Sequence, residues 1–453
     1  MARETVTAII LAAGKGTRMK SRVAKVLHKI AGRPMIGHVL SAVGEIPNAR
    51  SVLVVGPDME EVEAYAKDIA PDTGIAVQTE QLGTAHAALM SAPEVADREG
   101  VVLVIFGDTP LMHPETLAAM TNGCREEADI VVLGFRPVDP AAYGRLVLDG
   151  KGALQKIVEF KDASDAEKAI TLCNGGAMAV RAAHLFDLLS EVSNDNAAGE
   201  YYLPDIVGLA RAKGLTCRVQ EGEEEEVLGV NSRADLAAAE SVMQHRLRQR
   251  AMADGATLAD PDSVYFSFDT ILGQDVTVGQ NVVFGPGVRV ADGVTVKPFS
   301  HLEGATVSSN AEVGPFARIR PGSSIGVGAK IGNFVETKKA EIEEGAKVSH
   351  LSYIGDARVG AHANIGAGTI TCNYDGYRKF FTDIGAGAFV GSNSSLVAPV
   401  KIGDGAYLGS GSVITKDVET DALAVTRAKQ FEKPGWAAAF RSRNEGSSKN
   451  AKD

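Results

Sequence analysis

A period of six governs the second half of the chain. Val276, Val282, Val288 and Val294 stand six apart, and Val307, Val313, Ile319, Ile325 and Ile331 continue in a new register. Ile384, Val390, Leu396, Ile402, Leu408 and Ile414 repeat it again. Glycine often follows the aliphatic, as in IGVGAK, IGNFVE and IGDGAY. Neither a helix nor an alternating hairpin has that period. It fits a hexapeptide parallel β-helix, where each aliphatic points inward and small residues turn each corner. Three hexads make one coil of about 18 residues, so the region holds roughly eight coils. A generic glycine-rich β-protein would not keep six consecutive aliphatics in register. CNYDGYRKFFTD, residues 372–383, breaks the rule and carries several polar groups. It is expected to leave the solenoid as a loop, and such loops often carry function.

The first half follows a different grammar. From residue 5 to about 230, VTAIILAAG, SVLVVG, VVLVIFGD and DIVVLGF read as buried parallel strands. HVLSAV and MEEVEAYAKDIA between them read as helices. This is an α/β pattern with helices on both faces of a sheet. Residues 135–205 are expected to hold a substrate-side subdomain. Residues 232–250 read as one helix, with Ser232 and Asp235 as a capping box and Arg246, Arg248 and Arg250 toward its negative end. The 453 residues suit two to three domains. The expected division is 1–231, a linker helix 232–252, the solenoid 253–437, and a polar tail 438–453 expected to be disordered.

Acidic residues outnumber basic ones, 57 to 46, for a net charge of −11. That opposes nucleic-acid binding, which neutralisation of phosphates drives. Local basic pockets for small phosphorylated ligands remain open. Cys124, Cys173, Cys217 and Cys372 lie far apart without CxxC spacing, which indicates neither a disulfide frame nor a zinc site. The N-terminus lacks a signal-peptide pattern, and no apolar run reaches the ~18 residues of a membrane span. A cytoplasmic protein is expected.

LAAGKGTRM, residues 11–19, follows the first strand directly. Gly14 and Gly16 let backbone approach a phosphate, while Lys15, Arg18 and Lys25 add positive charge. The spacing departs from both the dinucleotide fingerprint and the P-loop. FGDTPL, residues 106–111, places Asp108 at a strand end, where open α/β sheets bind ligands and a carboxylate can hold Mg on a triphosphate. Asn231, in GVNSR, offers a second oxygen. Read alone, an Asp after a strand is more often a helix cap or turn residue than a metal ligand, and Lys25 a solvated surface lysine.

In the solenoid, His350 lies in KVSHLSYIGD between two stretches of hexads. It is either a turn histidine packed on a neighbouring coil or a base that removes a proton from an amine during acyl transfer. Glu336 is placed to orient it from a neighbouring coil. Arg320, Lys338 and Lys379 suit a sugar phosphate, and Tyr353 and Asn364 its hydroxyls. A three-histidine zinc site is disfavoured, because His301, His350 and His362 lack the spacing of the hexapeptide carbonic anhydrases.

LAAGKGTRM with Lys25 resembles the sugar-phosphate nucleotidyltransferase signature, and QTEQLGTAHA the segment that selects uracil. With FGD, KIVEFKDA, GVNSR, PFARIRPG, SHLSYIGDA, GTITCNYDG and TRAKQFEKPGW, the chain resembles one family over residues 5–437. These are the bifunctional N-acetylglucosamine-1-phosphate uridylyltransferases and glucosamine-1-phosphate N-acetyltransferases, the GlmU family. The resemblance implies a Rossmann-like nucleotidyltransferase domain, a linker helix and a left-handed hexapeptide-repeat parallel β-helix. Leu11, Ala12, Ala13, Gly14, Arg18, Lys25, Gln78, Gly83, Thr84, Phe106 and Gly107 would meet the nucleotide. Asp108 and Asn231 would hold Mg, and Gly144, Glu159 and Asn174 would contact the sugar. Arg320, Lys338, Tyr353, Asn364 and Lys379 would bind the amino-sugar phosphate, with His350 as base and Glu336 supporting it. Ala367, Asn373, Tyr374, Ser392, Ser410 and Arg427 would line the acetyl-CoA groove. Phe106 stands where the family often has Tyr, and Ser410 where some relatives have Ala.

The implied activity acetylates glucosamine-1-phosphate from acetyl-CoA. It then transfers UMP from UTP to N-acetylglucosamine-1-phosphate, supplying peptidoglycan and lipopolysaccharide precursors. The family is a homotrimer with acetyl sites between subunits. One alternative is a monofunctional sugar-phosphate nucleotidyltransferase whose solenoid is structural or regulatory; His350 and the CNYDGYRK loop argue against it. Another is a non-enzymatic exchange-factor scaffold, against which Gly14, Lys25 and Asp108 stand.

Overall fold

The computed structural model describes residues 5–95 and 99–445. The chain divides into two compact units. One runs up to Arg250 and includes Phe266–Phe268; the other takes Ala251–Tyr265 and the residues from Asp269 on.

The first unit is built on a nine-stranded sheet. Its strands are β1 (Val6–Leu11), β2 (Ala49–Val55), β3 (Gly74–Val77), β4 (Val101–Phe106), β5 (Ile130–Phe135), β6 (Arg145–Leu148), β7 (Leu154–Val158), β8 (Cys173–Arg181) and β9 (Cys217–Glu221). The sheet order is β9-β5-β8-β4-β1-β2-β3, with β6 paired to β8 and to β7. Helices α1 (Met35–Gly44), α2 (Glu60–Ile69) and α4 (Pro114–Glu126) cover one face. Helices α3 (Thr84–Met90), α6 (Ala182–Glu191) and α7 (Asp205–Ala212) cover the other, and the short α5 is Asp165–Lys168. Because both faces are covered, the central strands β1, β4 and β5 are apolar and buried almost throughout, and successive side chains part to opposite cores. Ala8, Ile10, Leu53, Val55, Leu103 and Ile105 join the first core; Ile9, Leu11, Val52, Val54, Val102 and Val104 join the second. Each large aliphatic buried this way contributes about 1.5–3 kcal/mol.

The sheet is mixed rather than wholly parallel. β8 runs antiparallel to both β4 and β5, and β6 runs antiparallel to β7 and β8. Residues 135–205 therefore add strands to the main sheet as well as a hairpin beside it. An apolar run states that a strand is buried but not its direction, and an antiparallel return needs no crossover helix.

Helix α8 spans Arg233–Ala253. Its capping box is present: the Asp235 N–H donates to Ser232 Oγ at 3.2 Å, and Asp235 Oδ2 accepts from the Ser232 N–H at 2.8 Å. The helix outlasts the expected end, so Arg246 is not terminal; its Nη1 donates to the Leu111 carbonyl at 2.6 Å. Gln244 exchanges two hydrogen bonds with the Phe266 backbone, at 2.7 and 2.8 Å. Most of α8 thus belongs to the first unit rather than standing as a separate linker.

The second unit is the parallel β-helix expected from the hexads. Val278, Val296, Val313, Ile331, Val348 and Ile365 stack by parallel pairing, each 17 or 18 residues after the last. All are buried, as are Val276, Val282, Val288 and Val294. From Ile365 the next step, to Val390, takes 25 residues. The surplus forms a loop within CNYDGYRKFFTD, at residues 373–381, while Cys372, Thr382 and Asp383 stay in strands. Tyr374 and Lys379 pair antiparallel across it. Asp375 Oδ1 accepts from the N–H groups of Tyr377 and Arg378 at 2.8 and 2.6 Å.

Charges also stack from coil to coil. Lys297 and Lys330 both donate to Glu312, at 2.8 and 2.7 Å. At one corner Phe299, Phe316 and Phe334 stack with centroids 4.9 and 5.2 Å apart, each in the left-handed region and each exposed. After the last coil, Trp436–Glu445 forms helix α9, with Trp436 stacked on Phe440 at 5.2 Å. The expected disorder of 438–453 is thus corrected as far as residue 445. Consecutive alanines and an i, i+4 aromatic pair favour a helix there. Residues 446–453 lie outside the described residues.

Among the described residues no helix is long and apolar enough to cross a membrane. The four cysteines form no disulfide among the described residues, and burial pushes the Cys217 thiol up to about 12.

The two lysine ammonium groups hold the Glu312 carboxyl down at about 2, against an ordinary 4.5. A depressed carboxyl contributes stability above its unfolded value and loses it as pH falls toward its folded one. Solenoid stability is therefore expected to fall between pH 4.5 and 2 in part through this group. Glu312→Gln should flatten that part of the profile, read by thermal melts across the window. Identical wild-type and variant profiles would exclude the contribution.

Candidate active sites

In the first unit the loop after β1 and the end of β4 face a cavity of about 320 Å³. Leu11, Ala12, Ala13, Gly14, Lys25, Gln78, Gly83, Thr84, Phe106 and Asp108 line it. Parallel pairing of β1 with β4 sets Leu11 beside Phe106. The Gly107 N–H donates to the Leu11 carbonyl at 2.9 Å, which carries Asp108 to the cavity mouth. Gly16 has φ +59°, and a Cβ there would stand 2.7 Å from Lys25 Cβ. Glycine at that position is what lets Lys25 reach inward.

Lys25 Nζ donates to Asp108 Oδ2, and to Asn231 Oδ1 at 3.2 Å. Two oxygens from segments remote in sequence thus converge on one cation. The Val230 N–H donates to the Asp108 carbonyl at 2.9 Å, and Asp235 Oδ2 accepts from the Asn231 N–H at 3.0 Å. These bonds hold Asn231 at the site. Hard oxygen donors converging on a positive point fit a Mg ion.

A second cavity of about 220 Å³ adjoins the first and shares Thr84, Phe106 and Glu200 with it. Glu159 and Asn174 line it. Gly144 backs both: the Asn174 N–H donates to its carbonyl at 2.8 Å, and a Cβ at Gly144 would meet Glu159 Oε1 at 3.3 Å. β8 shifts register between Asn174 and Met178, and the Gly176 N–H donates to Asn174 Oδ1 at 3.0 Å. The bulge re-aims Asn174 out of the sheet plane. Burial, with Asp162 and Asp205 nearby, raises the Glu159 carboxyl above the usual range.

Arg18 is exposed, does not line either cavity, and acts on Asp235. Gln81, Glu200 and Tyr202 line the cavities without having been expected there; Gln81 lies within the QTEQLGTAHA segment, whereas Glu200 and Tyr202 sit in EYYLPD, which has no recognisable pattern.

In the second unit, pairing sets Glu336 level with both Arg318 and Tyr353, and Lys338 level with Gly355. Arg320 Nη1 donates to Glu336 Oε1 at 2.7 Å. The neighbouring Lys379 ammonium lowers the Lys338 pKa, so two ammonium groups face one another near Arg320. Such a cluster is suited to a phosphate dianion.

His350 is exposed, and its Nδ1 lies 2.7 Å from Asn333 Oδ1. The expected role of Glu336 in orienting His350 is corrected here: Glu336 is taken by Arg320, and Asn333, paired with His350 in adjacent coils, is the partner. Asn333 stands 17 residues before His350, so the coil spacing could have found it. With its oxygen toward the ring, Asn333 accepts from a proton on Nδ1, the tautomer that leaves the Nε2 lone pair free. Asn364 pairs with Lys347 on the strand that carries His350.

The remaining expected residues follow the axis. The Asn393 N–H donates to Ala367 O and the Gly411 N–H to Ser392 O, each at 2.7 Å. Arg427 Nη1 donates to Ser410 O at 2.7 Å. Ala367, Ser392 and Ser410 therefore occupy successive coils. Asn373 is buried and donates to Asp356, while Tyr374 is exposed on the loop.

Fold and residues define a two-site transferase, with a nucleotidyltransferase unit and a hexapeptide-repeat transferase unit in one chain. Residues 8–182 match the MobA-like NTP transferase domain, and residues 381–416 match the bacterial transferase hexapeptide of six repeats. The chain is 66% identical over 437 residues to the bifunctional protein GlmU of Parvibaculum lavamentivorans, covering 96% of each chain. It is 58% identical over 436 residues to that of Rhodospirillum rubrum, covering 96% of this chain and 97% of the relative. With that of Zymomonas mobilis the identity is 52% over 444 residues. The chain belongs to the GlmU family.

A raised carboxyl favours folding below its unfolded value and loses that contribution as pH climbs through the folded one. Glu159→Gln should therefore raise stability relative to wild type at pH 8 and change it little at pH 4. Urea melts at the two pH values check this, and an equal shift at both would assign the gain to packing instead.

Proposed function

We propose that the two clusters carry two successive transfers, each within its own unit. The chain is a bifunctional N-acetyltransferase and uridylyltransferase of UDP-N-acetylglucosamine biosynthesis, a supply for peptidoglycan and, by this proposal, lipopolysaccharide. What carries the residue assignment is the convergence of Lys25, Asp108 and Asn231 in one unit and, in the other, the facing ammonium groups of Lys338 and Lys379 together with the His350 ring held by Asn333. The proposed division is 1–231 for uridylyl transfer and 253–437 for acetyl transfer.

In acetyl transfer, Arg320, Lys338 and Lys379 hold the phosphate of glucosamine-1-phosphate, and Tyr353 and Asn364 meet its hydroxyls. The neutral amine attacks the thioester carbonyl of acetyl-CoA. A C–N bond forms, the C–S bond breaks, and CoA leaves. His350 Nε2 takes the amine proton, and Asn333 holds the ring in the tautomer that can do so. Ala367, Asn373, Tyr374, Ser392, Ser410 and Arg427 line the acetyl-CoA groove.

In uridylyl transfer, a phosphate oxygen of N-acetylglucosamine-1-phosphate attacks the α-phosphorus of UTP. The new P–O bond forms as the bond to pyrophosphate breaks. That phosphate is already ionised at neutral pH, so no general base is required. Backbone from Leu11 to Gly14 approaches the nucleotide, Gln78, Gly83 and Thr84 meet its base side, and Lys25 offsets charge on the phosphates. Glu159, Asn174 and the Gly144 backbone hold the sugar, with the Phe106 ring between the two cavities. Asp108 and Asn231 would hold Mg, which when bound neutralises charge on the triphosphate.

The exposed ladder of Phe299, Phe316 and Phe334 supports a homotrimer packed through the solenoids, since stacked exposed aromatics mark an interaction face. With UTP and acetyl-CoA as substrates, the cytoplasm is the compartment we assign.

His350→Ala should lower acetyl transfer by roughly 10²–10⁴-fold, the usual range for a general base, and leave uridylyl transfer intact. Asp108→Ala should do the reverse. Free CoA thiol and pyrophosphate, measured separately, read the two activities. Loss of both activities in His350→Ala would make that residue structural, and retained Mg-dependent pyrophosphate release in Asp108→Ala would remove the metal assignment.

A further inference from the structure

We propose that His86 is a positioning residue that sets the base preference of the nucleotide cavity, by holding the Gln78 amide with its oxygen toward the base. The proposal rests on reading that cavity as the nucleotide site with Gln78 at the base.

Gln78 follows β3, is almost wholly buried, and lines the cavity. Its backbone N–H donates to the Val55 carbonyl at 2.8 Å. Its side-chain Nε2 lies 3.1 Å from the Gly83 carbonyl oxygen and 3.1 Å from His86 Nδ1. A carbonyl oxygen can only accept, so the Gln78 atom facing Gly83 is the amide nitrogen. The second amide hydrogen then points at His86 Nδ1, which must accept it. That places the imidazole proton on Nε2. Both donors of the amide are thereby used. Among the described residues Oε1 has no partner, and it is not sealed from solvent. The Gln78 amide thus has only its acceptor left to offer the cavity.

This arrangement discriminates between pyrimidines. Uracil carries a hydrogen on N3, whereas cytosine carries a lone pair there. An oxygen presented to that edge accepts from the first and repels the second. A glutamine amide alone reads neither, because rotation by half a turn exchanges its donor and acceptor at almost unchanged shape. The two acceptors on the far side prevent that rotation. Gly83 is itself locked: the Ala85 N–H donates to Tyr201 O at 2.9 Å, and the Tyr201 N–H donates to Leu82 O at 2.8 Å. A Cβ at Gly83 would stand 2.5 Å from that Tyr201 oxygen. His86 is carried on helix α3. It acts through Gln78 and needs no contact with the nucleotide.

The test uses the full chain with Mg and N-acetylglucosamine-1-phosphate, reading pyrophosphate for UTP and for CTP. Wild type should favour UTP. His86→Phe keeps a ring but removes the acceptor, and should lower the UTP-to-CTP ratio of kcat/KM by about five-fold or more, the worth of one hydrogen bond. His86→Asn restores an acceptor and should keep the ratio within about three-fold of wild type, since neutral hydrogen bonds differ little in net worth. Equal loss with both nucleotides in His86→Phe, at an unchanged ratio, would reduce His86 to a structural role. Should His86→Phe fail to fold, the nitrogen shifts of ¹⁵N-histidine-labelled wild type, assigned by His86→Asn, decide the matter. A proton on Nε2 supports the proposal, and a proton on Nδ1 overturns it. If wild type shows no preference for UTP, the reading of the cavity as a uridine site fails first, and the proposal with it.

Discussion

Parallel pairing between strands remote in sequence is the constraint on which both sites depend. In the first unit, pairing of β1 with β4 sets the loop after Leu11 against the turn after Phe106. In the second, pairing from coil to coil brings Asn333 level with His350 and Glu336 level with Tyr353. The backbone ladder thus converts distance along the chain into adjacency at the surface. A one-residue slip would send every side chain to the opposite face, so the buried aliphatics that hold the register also hold the chemistry.

The two units solve the problem of concentrating charge differently. In the first, a lysine is threaded inward past a glycine and held between a carboxylate and an amide oxygen. The charges there are mostly paired and partly buried. In the second, Lys338 and Lys379 face one another at the solvent edge, so a dianion would relieve their repulsion. Elsewhere on the solenoid, Glu312 and Arg358 sit between partners of opposite sign from adjacent strands. The contrast separates charge ladders that stitch coils from a cationic cluster left open.

Much of the fold was legible because burial imposes period. The apolar runs of β1, β2, β4 and β5 announce strands covered on both faces, and the hexads announce coils. The loop from residue 372 was legible as a break in the hexads. Direction was not legible: β8 runs antiparallel because of where the chain returns, which no residue type encodes. Nor was the end of the chain, where Trp436 stacks on Phe440 within a helix that polar composition hid. Among site residues, the glycine-rich loop, Lys25, Asp108 and His350 stood out because their chemistry is unusual in its setting. Glu200 and Tyr202 did not, since an acid or an aromatic in a loop is ordinary until a cavity is seen beside it.

The sequence by itself determined the two architectures, their order along the chain, and the residue types each site uses. These follow from local pattern and from the chemistry a side chain carries with it. Only the tertiary structure decided which groups pair. Asn333 rather than Glu336 faces His350, because Arg320 claims the carboxylate. Gln78 turns its oxygen outward because Gly83 and His86 claim its nitrogen. Hydrogen bonds are short and directional, so the choice among several chemically suitable partners is made by position, and position is a property of the folded chain.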